Sequence, residues 1–337
     1  MIDWVTAKIH CDHVGIISNG SVVKVSKDGN EIEWTSVTLL PVTGSHDSNI
    51  MIRSLTDTQL EITGNPAKWL QGHNLFGIDD PQRLMWLFFS KLIKIDELGL
   101  KPTMEQLRAI KDGFYTTSRI DINHTWLLNT ISDVGSWIRS AEQKVRLKHR
   151  GSGQFSKSTL YWGKGSKRWF LKCYSKGEEI NGKKSNFPDE LRTPEMLDYA
   201  NKSLRFEACL KSNFLRERDL HIIANWTPET AKMLLLSLME GLEMSNNFSL
   251  SNDVLDGLPP RVRLAYTSWL HGQDLRQILP RPTYYRYRNE LKKYDVDISI
   301  VRDVETQQSN VIPLVRILEA QPAGIPDWAY EKGLVAC

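Results

Sequence analysis

The sequence has no C-x-x-C pair; its four cysteines, Cys11, Cys173, Cys209 and Cys337, are scattered. That excludes the usual zinc spacings, argues against a disulfide framework and points to a reducing compartment. Long apolar runs are missing too. The longest, LMWLFFSKLIKI at 84–95, is interrupted by Lys91 and Lys94 and is too short to span a bilayer. The opening MIDWVTAKIHCDH carries an acid at position 3 and no long apolar core, so it does not read as a signal peptide. No glycine loop joins a strand to a helix as a phosphate cradle requires, because GKGSK at 163–167 runs into another β stretch. No serine elbow, helicase motif or His-hydrophobe-His pair is present. These absences exclude an ATPase or an α/β-hydrolase and predict a soluble intracellular protein without membrane contact.

What is there is a chain of 337 residues, 41% hydrophobic and 25% charged, enough for two domains, or one large one with an appendage, and a real core. The first 65 residues read as strands: WVTAKIH, SVVKVSK, EIEWTSVTLL, NIMIRSL and QLEITG, separated by Gly, Asn and Asp. Helices are predicted at 81–98, with Pro81 in the first turn behind Asp79 and Asp80, and at 103–112 and 126–145. FYTTSRIDIN (114–123) returns to strand, and TLYW-GKGSK-RWFLKCY reads as a hairpin turned by Gly163 and Gly165. A loop and a helix near 188–200 lead to the strand SLRFEACLK (203–211). Beyond it helices dominate, at 213–219, 228–243, 260–271 and 280–294, the last with Thr283 as its cap, followed by a strand in VDISIVRDV. The fold class is α+β: an antiparallel sheet flanked by helices over 1–212, then a mostly helical part over 213–337.

Net charge is only +3, but its distribution is uneven. From Lys144 to Lys176 ten lysines and arginines stand with no Asp or Glu, and Tyr161, Trp162, Trp169, Phe170 and Tyr174 are interleaved with them. Such a hairpin offers phosphate neutralisation and stacking, as single-stranded DNA binding needs, or it is a solvated hairpin with its aromatics turned to the core. Three acids lie inside strands: Glu61 in QLEITG, Asp121 in SRIDIN and Glu207 in LRFEACLK. Acids on neighbouring strands suit a hard cation such as Mg²⁺ or Mn²⁺; the plainer reading is Arg–acid salt bridges. His73, beside Gly72, reads first as a turn residue. In the segment 276–294 six Lys or Arg face one acid, Glu290, which gives either a phosphate grip or an ordinary basic surface helix.

Four stretches together resemble the filamentous-phage replication initiator family of the gene II/gene X type. They are NPAKWLQGHNLFG (65–77), SRID (118–121), LRFEACLK (204–211) and VIPLVRIL (311–318), in the family's order, with the start MID. More distantly, YWGKGSKRWFLKCYSKGEE (161–179) resembles the Tyr-x-Gly turn and Tyr-x-Lys-x-x-Glu unit of Rep_trans-type rolling-circle plasmid initiators. The resemblance implies that Tyr174 is a nucleophile, with Lys176 beside it, and that Asp121, Glu207 and Glu61 hold Mg²⁺ or Mn²⁺, with His73 and His124 as further candidates. A phenol attacking a phosphodiester leaves a 5′-phosphotyrosine and a free 3′-OH, a link that a later 3′-OH can reverse to close a circle. Tyr161 is the rival tyrosine or a stacking residue, and Glu179 pairs with Lys176 or has no role. Lys164, Lys167 and Arg168 would hold single-stranded origin DNA, and Arg286, Arg288, Lys292 and Lys293 the duplex. Host helicase and DNA polymerase would take over at the 3′-OH in the host bacterial cytoplasm. The competing expectation is a non-enzymatic DNA-binding regulator or catalytically inactive relative.

Overall fold

The computed structural model describes residues 1–183, 185–244, 252–294, 296, 298–299 and 320–336. Alternation in IDWVTAKIH makes β1 (Ile2–His10), with Val5, Ala7 and Ile9 buried on one face and Trp4, Thr6, Lys8 and His10 on the other. A two-stranded arm follows, β2 (Ser21–Val25) with β3 (Ile32–Val37), and then β4 (Leu40–Thr43), β5 (Asn49–Thr56) and β6 (Gln59–Gly64). Helix α1 (Pro66–Gln71) begins at Asn65, whose side chain accepts from Lys68 N, and ends at Gly72 with φ 82°, a left-handed position that favours glycine. Asp80 caps α2 (Pro81–Leu92) as the sequence predicts, but the helix stops six residues short of 98 and a separate 3₁₀ turn, Asp96–Leu98, follows.

A capping box of Thr103 and Gln106 starts α3 (Met104–Lys111). Then come β7 (Thr116–Leu127), α4 (Ile131–Lys144), β8 (Val145–Leu147), β9 (Gly151–Ser152) and β10 (Gln154–Ser156). Helix α4 begins later than expected because β7 runs on to Leu127 and Thr130 is the cap. The hairpin is β11 (Thr159–Trp162) and β12 (Trp169–Ser175), with Gly163 left-handed in its turn. The strand ends at Ser175, which caps a short helix the sequence did not announce, α5 (Lys176–Asn181). After α6 (Pro194–Lys202) comes β13 (Ser203–Lys211), with the predicted bounds.

The remaining elements are α7 (Ser212–Arg216), α8 (Thr230–Met239), β14 (Leu242–Met244), α9 (Asn252–Gly257), α10 (Pro260–Leu270), α11 (Leu275–Ile278), α12 (Arg281–Lys292) and α13 (Asp327–Glu331). Thr283 is not the cap of α12. Pro280 holds that position, because the helix already begins at Arg281 with Pro282 in its first turn, and Thr283 lies inside it. The expected strand at 296–304 and the VIPLVRIL stretch lie, apart from Val296, Ile298 and Ser299, outside the described residues. Among the described residues no helix is long and apolar enough to cross a membrane.

Nine strands form one antiparallel sheet in the order β10-β11-β12-β13-β7-β1-β6-β5-β4. One face is apolar. At its centre Phe206 meets Trp126, Trp137 and Trp162, with ring centroids 5.2, 5.6 and 6.4 Å away. Across the expected boundary near 212 this core is continuous, taking in Phe214, Leu215, Trp226 and Leu235. A separate cluster runs from Leu258 to Ile298, with Tyr266, Trp269, Tyr284 and Leu291 at its heart. Residues 320–336 return to the sheet: Trp126 Nε1 donates to Ala320 O at 2.9 Å and Ala323 N to Thr125 O at 2.8 Å.

Candidate active site

The opposite face of the central strands is polar, and register decides who meets there. In β13 the buried face of Phe206 and Ala208 alternates with Arg205, Glu207 and Cys209. Lys172 of β12 stands directly across from Glu207, Tyr174 across from Arg205, and Asn123 and Asp121 of β7 across from Glu207 and Cys209 on the other side. Trp4 of β1 faces Asp121. The structure therefore brings Tyr174, Glu207 and Asp121 to one face of three adjacent strands.

Tyr174 is buried, and its Oη donates to Glu207 Oε2 at 3.2 Å. Lys172 Nζ lies 2.7 Å from Glu207 Oε1. Burial pushes the Glu207 carboxyl up to about 8; Lys172 opposes the shift and the negative charges of Asp3 and Asp121 add to it. Burial, with Glu179 and Glu207, also holds the Tyr174 phenol well above its ordinary value. Lys176 opens α5 rather than continuing the strand, yet its ammonium is buried, donating to Glu179 Oε2 at 2.8 Å and Asn74 Oδ1 at 2.7 Å. Glu179 is thus the partner of Lys176.

Asp121 is held by Arg119, which donates to both carboxylate oxygens at 2.8 and 2.6 Å, and the same guanidinium lies 5.2 Å from the Trp4 ring. Glu61 is not brought to this cluster. It pairs with Arg53 of β5, and β1 and β7 separate its strand from Glu207, roughly 14 Å at ~4.8 Å per strand. The acid that does reach the cluster is Asp3. A bulge between Ile2 and Trp4 inserts it as an extra residue in β1, and its Oδ1 accepts from Asn65 Nδ2 at 2.7 Å and Asn74 Nδ2 at 2.8 Å. Sequence reasoning used the acid at position 3 against a signal peptide and, within the start MID, as part of the resemblance, but gave it no role at the site.

Among the described residues no three His, Cys, Asp or Glu form a ready-made metal group. A protein cation stands at each of the two strand acids, Lys172 at Glu207 and Arg119 at Asp121. The donor set still suits a hard cation in kind: Asp3 and Asp121 supply oxygens, and Asn123 is buried with neither amide atom partnered. His73 and His124 do not join them. His73 packs between Phe76 and Phe187, and His124, on the apolar side of β7, lies 3.4 Å from Asp79.

Burial lowers both histidines, His73 to about 4 and His124 to about 3. Both are neutral in the fold but charge in the unfolded chain below about 6.5, so their contribution is complete above that pH and is lost as pH falls toward 4. Each is expected to cost roughly 2 kcal/mol at pH 5. Denaturant unfolding of wild type and His73→Phe at pH 5.0 and 7.0 checks this: between pH 7.0 and 5.0 the wild type should lose roughly 2 kcal/mol more than the variant, a comparison in which the opposite trend of Glu207 cancels.

The basic hairpin divides its aromatics between faces. Trp162 is buried in the core, whereas Tyr161 and Phe170 are half-buried on the polar face with ring centroids 6.2 Å apart. Lys164 lies 4.3 Å over the Tyr161 ring and Lys211 5.4 Å over Phe170. Lys167 is exposed, and Arg168 is ion-paired with Glu217. In α12 Tyr284, Tyr287 and Leu291 face the second core, while Arg286, Lys292 and Lys293 are exposed and Arg288 is half-buried.

Residues 1–229 match the N-terminal family of the phage replication-associated protein of the gene II type, and residues 259–335 match the C-terminal family of the same protein. The chain is 39% identical over 334 residues to the replication-associated protein of that type from Enterobacteria phage I2-2, covering 97% of this chain and 95% of that protein. It is 24% identical over 331 residues to the protein of the same description from Enterobacteria phage M13, covering 82% and 78%. The counterpart from Salmonella phage IKe is 24% identical over 328 residues, covering 81% and 75%.

Proposed function

Because the chain belongs to the family of gene II-type phage replication-associated proteins, we propose that this replication initiator nicks phage replicative-form DNA through Tyr174 and later rejoins the displaced strand. The contact that carries the reading is the one from Tyr174 Oη to Glu207 Oε2, 3.2 Å, on the polar face beside the basic hairpin. A buried phenol held above its ordinary value keeps its proton unless an acceptor stands in contact. Glu207, at about 8, is poised near working pH for that transfer.

In the forward step the phenol proton passes to Glu207, the tyrosine oxygen bonds to phosphorus, and the bond from phosphorus to the 3′-oxygen breaks. That oxygen takes a proton from solvent and becomes the 3′-OH on which host helicase and polymerase act, in the host cytoplasm. Rejoining is the reverse: a 3′-OH gives its proton to solvent and bonds to phosphorus, the bond from phosphorus to the tyrosine oxygen breaks, and Glu207 returns a proton to that oxygen. Lys176, anchored by Glu179 and Asn74, would place positive charge near the phosphate. Asp121, Asp3 and Asn123 would hold Mg²⁺ or Mn²⁺, which when bound would offset charge on the scissile phosphate. In this arrangement Glu207 serves the phenol, and Glu61 belongs to an ion pair elsewhere in the sheet.

Incubation of the protein with labelled single-stranded origin DNA and Mn²⁺, then a denaturing gel, tests the reading. A covalent band is expected; DNA binding without one supports the regulator or inactive relative instead. Recognition divides by core. Neutralising Lys164, Lys167 and Arg168 is expected to impair oligonucleotide cleavage and flatten its salt dependence, since fewer counterions are released. Neutralising Arg286, Arg288, Lys292 and Lys293, on the helix of the second core, is expected to weaken duplex origin binding and spare oligonucleotide cleavage. Equal loss of cleavage from both sets would sink that division.

A further inference from the structure

Asn74 is the meeting point of the groups around Tyr174. Its Oδ1 accepts from Lys176 Nζ at 2.7 Å, its Nδ2 donates to Asp3 at 2.8 Å, and its backbone oxygen accepts from the buried Arg205 at 2.5 Å. Arg205 also donates to Leu75 O at 2.7 Å. Yet Asn74 lies in the irregular stretch between α1 and α2, with no ladder to hold it. Ile180, Met196 and Ala200 cover one part of that stretch, and the rest of its cover comes from the far end of the chain.

Gln71 ties the two together. Its Nε2 donates to Phe76 O at 2.8 Å and His73 O at 3.2 Å, and its Oε1 accepts from Ala336 N at 2.7 Å. Trp328 of α13 packs edge-on against Phe76 with centroids 5.4 Å apart and meets Tyr199 at 6.4 Å. Ala329 and Val335 are buried in the same cluster as Leu75 and Phe76. None of these contacts involves the second core between Leu258 and Ile298.

We infer that residues 320–336 are a clamp on the 71–77 loop, and that through it Asn74 acts as a positioning residue for Lys176 and Asp3. This rests on the tyrosine reading above for its catalytic consequence, though not for the clamp itself. A misplacement of about 1 Å in such groups costs rate far more than it costs binding. The segment beyond the helical core is accordingly part of the nicking machinery, although it lies over a hundred residues after the last strand of the large sheet.

The test uses full-length Trp328→Ala, Gln71→Ala and Asn74→Ala proteins. Hydrogen exchange of the 72–77 amides is read beside single-turnover cleavage of a labelled single-stranded origin oligonucleotide. Trp328→Ala and Gln71→Ala are expected to expose those amides and slow cleavage by about tenfold or more, with the oligonucleotide Kd within about twofold of wild type. Trp328→Phe should restore both. Asn74→Ala should slow cleavage as much while the loop stays protected, which a role in packing alone would not produce. Unchanged exchange in both clamp variants overturns the clamp, and wild-type cleavage with exposed amides or in Asn74→Ala overturns the positioning role. The exchange result stands whether or not the wild-type protein cuts DNA, so a failure of the tyrosine reading is seen separately.

Discussion

Tyr174→Phe will bind single-stranded origin DNA as the wild-type protein does and will form no covalent adduct. The substitution keeps the ring in its buried place between strands and removes one oxygen, which donates to Glu207 at 3.2 Å. Losing that bond should cost about 1 kcal/mol of stability, because Glu207 keeps Lys172 as its partner. Cleavage should fall to background, since among the described residues no other hydroxyl donates to Glu207. Gel shift, thermal unfolding and a denaturing gel on one preparation separate these effects.

Glu207→Gln is expected to lower the cleavage rate by roughly 10²–10⁴-fold at every metal concentration. The glutamine keeps the shape but cannot take the phenol proton. Asp121→Asn should behave differently, raising the Mg²⁺ or Mn²⁺ concentration needed while leaving the rate at saturation less affected. Wild-type cleavage should rise with pH up to about 8 and level off above it, because Glu207 accepts a proton only after losing its own. The residual activity of Glu207→Gln should lack that limb. If both variants shift only the metal requirement, Glu207 is a metal ligand rather than the proton acceptor.

Much of this site was legible because alternation is local. RWFLKCY and SLRFEACLK read as strands from their own residues, and placing Tyr174, Asp121 and Glu207 near one another needed only that those strands be neighbours, which they are. Glu61 sat in an equally clear strand, but sheet order is not local, and two strands intervene between its own and that of Glu207. Asp3 was hidden by a bulge that a simple period of two does not foresee. Helix α5 was missed because KGEEIN is too short to show a helical period, so the burial of Lys176 at its first turn was not foreseen. Asn65 and Asn74 stood inside the most specific stretch of the resemblance, yet their roles depend on Asp3, some 60 and 70 residues earlier. The clamp depends on contacts across most of the chain, which no window of sequence displays.

The most direct measurement is the position of the DNA–protein bond. The covalent complex formed on a 3′-labelled substrate strand can be digested with trypsin and the labelled peptide sequenced by mass spectrometry. Cleavage after Lys172 and Lys176 isolates Tyr174 in the peptide 173–176, whereas Tyr161 lies in 158–164, between Lys157 and Lys164. Nucleotide on 173–176 is the predicted result. Nucleotide on 158–164, or no covalent peptide from a protein that binds and cuts the same DNA, would contradict the assignment of Tyr174.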